Sequence, residues 1–138
     1  MPPAAIAGAL AFGAATKAYG SIKAGKDANE AHRYNADLTR LEGVYNQARQ
    51  REAVKRLIGR QQALYQGSGV VSSQGSAQDV IRDTAVAGER DALMIRYTSE
   101  LEAQGEEKLG SSAKRQGIIG GLGALVSGVA DVAGVFGG

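Results

Sequence analysis

The last 22 residues, Gly117 to Gly138, constrain this chain more than any other stretch. They contain eight glycines and a single charged residue, Asp131, and most of the others are small or branched apolar residues. About 20 apolar residues span the hydrocarbon core of a bilayer as a helix, so the segment suits either lipid or the interior of an assembly. Small residues recur four apart, the spacing that brings membrane helices together. The candidate membrane or assembly positions are Gly117, Gly120, Gly121, Ala124, Gly128 and Gly134.

A second apolar run extends from Ala4 to Ala15. No positive residue precedes it, unlike the hydrophobic region of a secretory signal, and we therefore expect the mature protein to retain it. Placing the charge of Asp131 against lipid would cost free energy, whereas placing it against water would not. Asp131 is therefore a candidate for facing a water-filled lumen. These features predict two apolar ends that meet in one wall around a lumen. The alternative is a soluble oligomer in which the terminal segment forms a glycine-packed seam.

The composition offers little material for an ordinary core. The chain has no Trp, two Phe and five Tyr, while Ala and Gly supply much of the apolar count. Large side chains contribute most burial energy, about 1.5–3 kcal/mol each when fully buried. We therefore expect a homo-oligomeric subunit and not a free monomer.

Periodicity predicts two long helices. Apolar residues from 34 to 48 alternate by four and three, as at a helix seam, and the register then slips before it resumes. The first group is Tyr34, Leu38, Leu41, Tyr45 and Ala48; the second is Val54, Leu57, Ile58, Leu64 and Tyr65. The second helix shows a narrow seam and a further apolar line on another side, which favours oligomerisation. The seam is Ile81, Ala85, Gly88, Ala92 and Ile95, and the further line is Leu93, Tyr97 and Leu101.

The fold class predicted is all-α: a long helical hairpin with apolar glycine-rich helices at both ends, assembled into an oligomeric ring. A capping-box-like sequence at Ser76 begins the second helix, and Gly110–Ser112 should end it. No repeat of fixed period is expected. The predicted segments are an N-terminal helix (1–26), a long amphipathic helix (27–66), a Gly/Ser loop (67–76), a second long helix (77–110) and an apolar C-terminal segment (111–138).

Two further features have alternative interpretations. Val70 and Val71 are unusually apolar for the tip of a solvent-exposed loop. One interpretation is a loop finger that contacts lipid or a partner protein. The other is that the two side chains pack between the helices. Arg49, Arg56 and Arg60 share roughly one helix face. They could face a lumen or DNA, because phosphate contacts require cations and no sequence code. They could equally form a solvated face or pair with acidic residues across the hairpin.

Nothing in the sequence indicates an enzyme or a cofactor. The chain lacks Cys, which excludes disulfides and thiolate metal sites, and its single histidine cannot form a histidine cluster within one chain. The acidic group at Glu100, Glu102, Glu106 and Glu107 has no histidine nearby in the sequence. We expect His32 to be an exposed helix residue.

Most of the chain resembles the small internal virion proteins, or ejection proteins, of short-tailed bacteriophages. The resemblance rests on an apolar N-terminus before a charged helix (AAIAGALAFGAATKAYGSIKAGKDANEA) and an Arg-rich helix (KRLIGRQQALYQGSGV). A Gly/Ser turn (SSQGSAQDV) and a second helix (GERDALMIRYTSELEA) then lead into the Gly/Ala-rich end. The chain is shorter than the better-known members and has no long polar tail.

This resemblance implies a protein stored in the virion, inside the capsid or tail, and expelled ahead of the genome into the host envelope. It implies partners among other ejection, portal or tail proteins, contact with outer-membrane lipid, and transient sequence-independent passage of DNA. A soluble structural virion subunit, of the head–tail or scaffold type, remains open as an alternative. So do a DNA-coating virion protein and a helical pore former such as a bacteriocin or secretion-system component.

Overall fold

The computed structural model describes the backbone of residues 3–71 and 73–136 and the side chains of residues 8–71 and 73–134. Two helices, α1 (Pro3–Gly67) and α2 (Gly75–Phe136), form a hairpin. Within the described residues the chain has no strand. The predicted all-α hairpin is therefore confirmed. The outer ends of segments 1–26 and 111–138, and Ser72 of the loop, lie outside the described residues.

The helices are longer than predicted. Segments 1–26 and 27–66 lie in one continuous helix, and the helix end expected at Gly110–Ser112 is wrong, because α2 runs through it. Packing explains the difference: Gly110 is buried, and a β-carbon built on it would lie 2.9 Å from His32 Cβ. Close contact with α1 thus offsets the low helix propensity of the Gly-Ser-Ser run.

The loop between the helices begins with a defined helix stop. Gly69 adopts a φ of 79°, in the left-handed region that glycine tolerates. The Val70 amide donates to the Tyr65 carbonyl at 2.9 Å, and the Gly69 amide donates to the Gln66 carbonyl at 3.2 Å. This pair of bonds is a Schellman motif, which satisfies carbonyls at the end of α1.

The chain divides into two compact units, and each is described by itself. The loop unit, Asp37–Gln104, packs its helices along a strip of small residues. Ala92 and Ala103 are completely buried there. Gly88 lies directly against the Val54 side chain and Gly43 against Ser99, so a β-carbon at either glycine would clash. The narrow seam predicted on α2 is confirmed at Gly88 and Ala92, although Ala85 is exposed.

The terminal unit, Met1–Ala36 with Gly105–Gly138, packs in the same way. Ala18 and Ala36 are buried. A β-carbon on Gly117 would lie 2.6 Å from the Ser21 carbonyl oxygen and 2.8 Å from Gly25 Cα, so the two backbones nearly touch.

Positions that face the opposite helix recur every eleven residues, a repeat that the sequence reading missed. On α2 they include residues 77, 88, 99, 110, 121 and 132, and on α1 residues 21, 32, 43, 54 and 65. Eleven residues make three turns at 3.67 residues per turn, so every eleventh residue returns to one face. In α2 this series reads Ala, Gly, Ser, Gly, Gly, Val.

The seam predicted for α1 is correspondingly wrong in its first part. Tyr34, Leu41 and Tyr45 are 66%, 67% and 63% exposed, and they lie on the outer face. In this part of α1 the small residues Ala36 and Gly43 are buried against α2, which leaves the large side chains outside. In the second part, Val54, Ile58 and Tyr65 are half-buried toward α2, whereas Leu57 and Leu64 are exposed.

Candidate membrane and assembly surfaces

The predicted membrane or assembly positions differ in burial within the terminal unit. Gly121 and Gly128 are buried against α1, where they contact Ile22 and Ala14, respectively. Gly117 and Ala124 are half-buried, whereas Gly120 and Gly134 are exposed. Some of the small residues spaced four apart therefore pack against α1 within the same chain. Gly120 and Gly134 remain at the surface of α2.

Large apolar side chains surround these glycines on the outside of α2. Six of them between residues 118 and 129 are exposed: Ile118, Ile119, Leu122, Leu125, Val126 and Val129. In the described part of the chain, α2 is the one helix whose length and composition would allow it to cross a membrane. The apolar stretch itself lies in its C-terminal part, where Asp131 is the only charge between residues 117 and 134.

Lys17 and Asp131 line one groove of about 250 Å³ in the terminal unit. Ala14 and Gly128, which contact each other, line the same groove. Lys17 is the only charged residue between residues 4 and 22, and Asp131 is the only charged residue in the C-terminal stretch. The lone charges of the two apolar segments thus share one cleft, where opposite signs can compensate each other in a medium of low dielectric constant.

Three of the five basic residues between Arg49 and Arg60 have a partner within the chain. The Arg56 guanidinium pairs with Glu52, and Arg49 lies over the Tyr45 ring at 5.7 Å. Arg51 Nε donates to Glu89 Oε2 at 3.0 Å across the hairpin. Its hydrogen bond lowers the pKa of Glu89, and Glu89 in turn raises the pKa of Arg51. Pairing across the hairpin therefore accounts for part of the basic run, while Arg60 stays exposed.

A second ion pair joins the helices at the other end of the loop unit. Arg40 Nε donates to Glu100 Oε2 at 3.2 Å. This hydrogen bond is the main reason that the pKa of Glu100 is lowered. Both pairs are part exposed, so each contributes little to stability.

The loop valines lie at the surface. Val70 is 46% exposed and Val71 57%. The alternative in which they pack between the helices is therefore wrong.

His32 is not the exposed residue that the sequence suggested. Its Nδ1 lies 2.7 Å from Glu106 Oε2, and both side chains are about two-thirds buried. The acidic group thus gains a histidine from the opposite helix, 74 residues away in sequence. The pair links α1 to α2 in the terminal unit. In the described residues, no group of three or more His, Cys, Asp or Glu side chains could hold a metal ion.

Comparison of the chain with protein families, with curated proteins and with solved structures finds no match.

Proposed function

We propose that this chain is a phage ejection protein whose copies assemble into a channel across the host outer membrane and periplasm for genome delivery. The protein is stored in the virion and acts in the host envelope. Its partners are further copies, other ejection, portal or tail proteins, and outer-membrane lipid. DNA passes through the channel without sequence recognition, and Arg49, Arg56, Arg60 and Asp131 are the candidate lumen residues.

The observation that carries the proposal is the exposed apolar surface of the C-terminal part of α2. Monomeric soluble proteins rarely expose a large contiguous apolar patch, and such patches mark membrane or protein contacts. The stretch from 117 to 134 is 18 residues long, about 27 Å as a helix, close to the thickness of the hydrocarbon core. Lipid is therefore a suitable environment for it.

The weak core also supports delivery through a narrow opening. The buried apolar residues of the described chain are alanines, and no large side chain is fully buried. A protein held by such contacts unfolds at little cost and refolds when copies or lipid cover its surface. That property suits a protein that leaves the virion before the genome.

The test is dye release from liposomes. The whole chain should release the dye, and a chain lacking residues 117–138 should not. Because the deletion also removes packing, Ile119→Glu and Val126→Glu provide a second variant: both side chains are exposed (69% and 71%), so the hairpin remains. Gln116→Glu, on an exposed polar position, is the matched control. Release that is unchanged by both the deletion and the double variant would overturn the proposal.

A second candidate is a soluble structural subunit of the virion. It is favoured by the exposed apolar residues of the loop unit, which do not belong to the membrane-length stretch of α2. This function predicts a defined oligomer in buffer without detergent and no partition into vesicles.

A further inference from the structure

We propose that an apolar belt around the loop unit is the surface through which one copy of this chain binds the next. The inference rests on the proposed function only in requiring assembly, and it does not depend on lipid. The belt consists of Leu38, Leu41, Val44 and Tyr45 on α1 and Leu93, Met94, Tyr97 and Leu101 on α2.

The belt faces outward on both helices. Gly43 is buried toward α2, and Leu41 and Tyr45 are each two residues from it, which turns them about 200° around the helix. Tyr97 is likewise two residues from the half-buried Ile95 and Ser99, so it also faces away from the opposite helix. One copy therefore offers two apolar faces on opposite sides of the loop unit.

The accessible surface shows how much is left uncovered. The chain exposes 9714 Å², whereas a folded monomer of 14.2 kDa is expected to expose about 6,800 Å². The excess of about 2,900 Å² exceeds the roughly 1,600 Å² that a standard stable interface buries. The excess belongs to the whole chain, including the apolar end of α2, and contacts with other copies on two sides of the loop unit can cover part of it.

The height of the belt argues against lipid as its occupant. Leu38 to Tyr45 spans eight residues and Leu93 to Leu101 nine, about 12–14 Å of helix. The hydrocarbon core of a bilayer is about 30 Å thick. Charged residues, including Arg40 and Glu100, also lie at the level of the belt. A protein surface tolerates this mixture, and a bilayer interior does not.

Charge next to the belt identifies the partner as a second copy in a defined orientation. Residues 49–60 of α1 carry five basic residues and one acidic residue, whereas residues 79–91 of α2 carry four acidic and two basic residues. The Arg51–Glu89 pair within one copy neutralises one charge in each stretch, which leaves net charges of +3 on the first and −1 on the second. These stretches lie at the same level, because Val54 contacts Gly88. When the α1 face of one copy binds the α2 face of the next with both pointing the same way, opposite charges meet. Parallel contact between two α1 faces would instead bring basic stretches together.

Such a contact is heterologous, so it continues from copy to copy. It closes into a ring if the rotation between copies divides a full circle and otherwise builds a filament. Tyr45 and Tyr97 are the central aromatic anchors, a residue type that is common among interface hot spots.

The experiment measures mass by sedimentation in detergent-free buffer. An α1-face variant carries Leu41→Glu with Tyr45→Glu, and an α2-face variant carries Tyr97→Glu with Leu101→Glu. Each should weaken self-association by about 100-fold or more, as loss of central anchors does. Circular dichroism verifies that the helices persist. The matched controls, Gln62→Glu with Gln66→Glu and Gln78→Glu with Ala87→Glu, add the same charge at exposed positions outside the belt and should leave the oligomer intact.

Mixing the two face variants tests the orientation. Each variant keeps one intact face, so the mixture should form complexes of two copies and nothing larger. A mixture that stays monomeric would overturn the α1-to-α2 contact, and so would face variants that still assemble. A monomeric unmodified chain would overturn the inference entirely. Assembly through the belt without dye release from liposomes would leave the inference standing and overturn the proposed function.

Discussion

Replacement of Gly117 by alanine tests whether close backbone approach holds the terminal unit together. The new β-carbon would lie 2.6 Å from the Ser21 carbonyl oxygen and 2.8 Å from Gly25 Cα. Both neighbours are backbone atoms, which cannot rotate away as a side chain can. The helices must therefore move apart along the strip where they are packed.

The expected magnitude follows from two opposing terms. Overpacking a well-packed site costs about 1–3 kcal/mol, while alanine in place of glycine inside a helix gains about 1 kcal/mol. Gly20→Ala, in the same unit, meets nothing within 4 Å and should show only the gain. The two variants should therefore differ by about 1–3 kcal/mol in free energy of unfolding, or about 4–12 °C in Tm at roughly 4 °C per kcal/mol.

The assay is thermal unfolding followed by the helical circular dichroism signal. All variants are compared at one protein concentration, because association raises Tm by mass action. Gly123→Ala, which also meets nothing within 4 Å, is a second control on α2 itself. A Gly117→Ala variant as stable as the two controls would refute the close packing of the terminal unit.

Three further predictions concern charges. Hydrogen bonds from arginines lower the pKa values of Glu89 and Glu100. The stability that these carboxylates contribute is therefore present above about pH 4.5 and is lost as the pH falls through the lowered pKa values. Tm measured against pH should show this loss, and the loss should be smaller in a variant with Glu89→Gln and Glu100→Gln. Lys17→Met and Asp131→Asn should each reduce binding to vesicles more than the two changes together, because a single change leaves a net charge in the groove that both residues line. Arg60→Glu should weaken retention of duplex DNA at low salt if the basic face contacts DNA, with the same loss for any DNA sequence.

Each of these predictions has a clear contrary result. If Tm stays constant as the pH is lowered below 4.5, the two carboxylates contribute nothing to the stability of the fold. Additive effects of Lys17→Met and Asp131→Asn on vesicle binding would show that the two side chains act independently. If retention of DNA changes neither with salt concentration nor in the Arg60→Glu variant, the basic face does not contact DNA.

The hairpin could be predicted because its signals are local. A Gly/Ser run separates two stretches with helical periodicity, and Gly88 and Ala92 mark a narrow seam that the structure confirms. The helix end at Gly110–Ser112 was predicted wrongly because local propensity cannot register that Gly110 packs against His32. Tertiary contact overrode the propensity of three residues.

The face of α1 was predicted wrongly for a different physical reason. Sequence reading places large apolar residues such as Leu41 and Tyr45 inside, but two helices alone enclose only a narrow strip. Gly43 occupies that strip, and the large residues lie outside. The eleven-residue recurrence of small residues on α2 was a signal for the face of that helix, whereas the matching series on α1 includes His32 and Tyr65 and gave no such signal. The His32–Glu106 pair and the groove shared by Lys17 and Asp131 had no such signal, because each depends on the register between helices.

The most direct test of the channel is ionic conductance across a planar bilayer. The whole chain should give discrete steps of uniform size, because a closed assembly has one pore geometry. The variant with Ile119→Glu and Val126→Glu should give none, while the Gln116→Glu control should match the unmodified chain. Absence of steps from the unmodified chain, or steps of the same size and frequency from the double variant, would contradict the account.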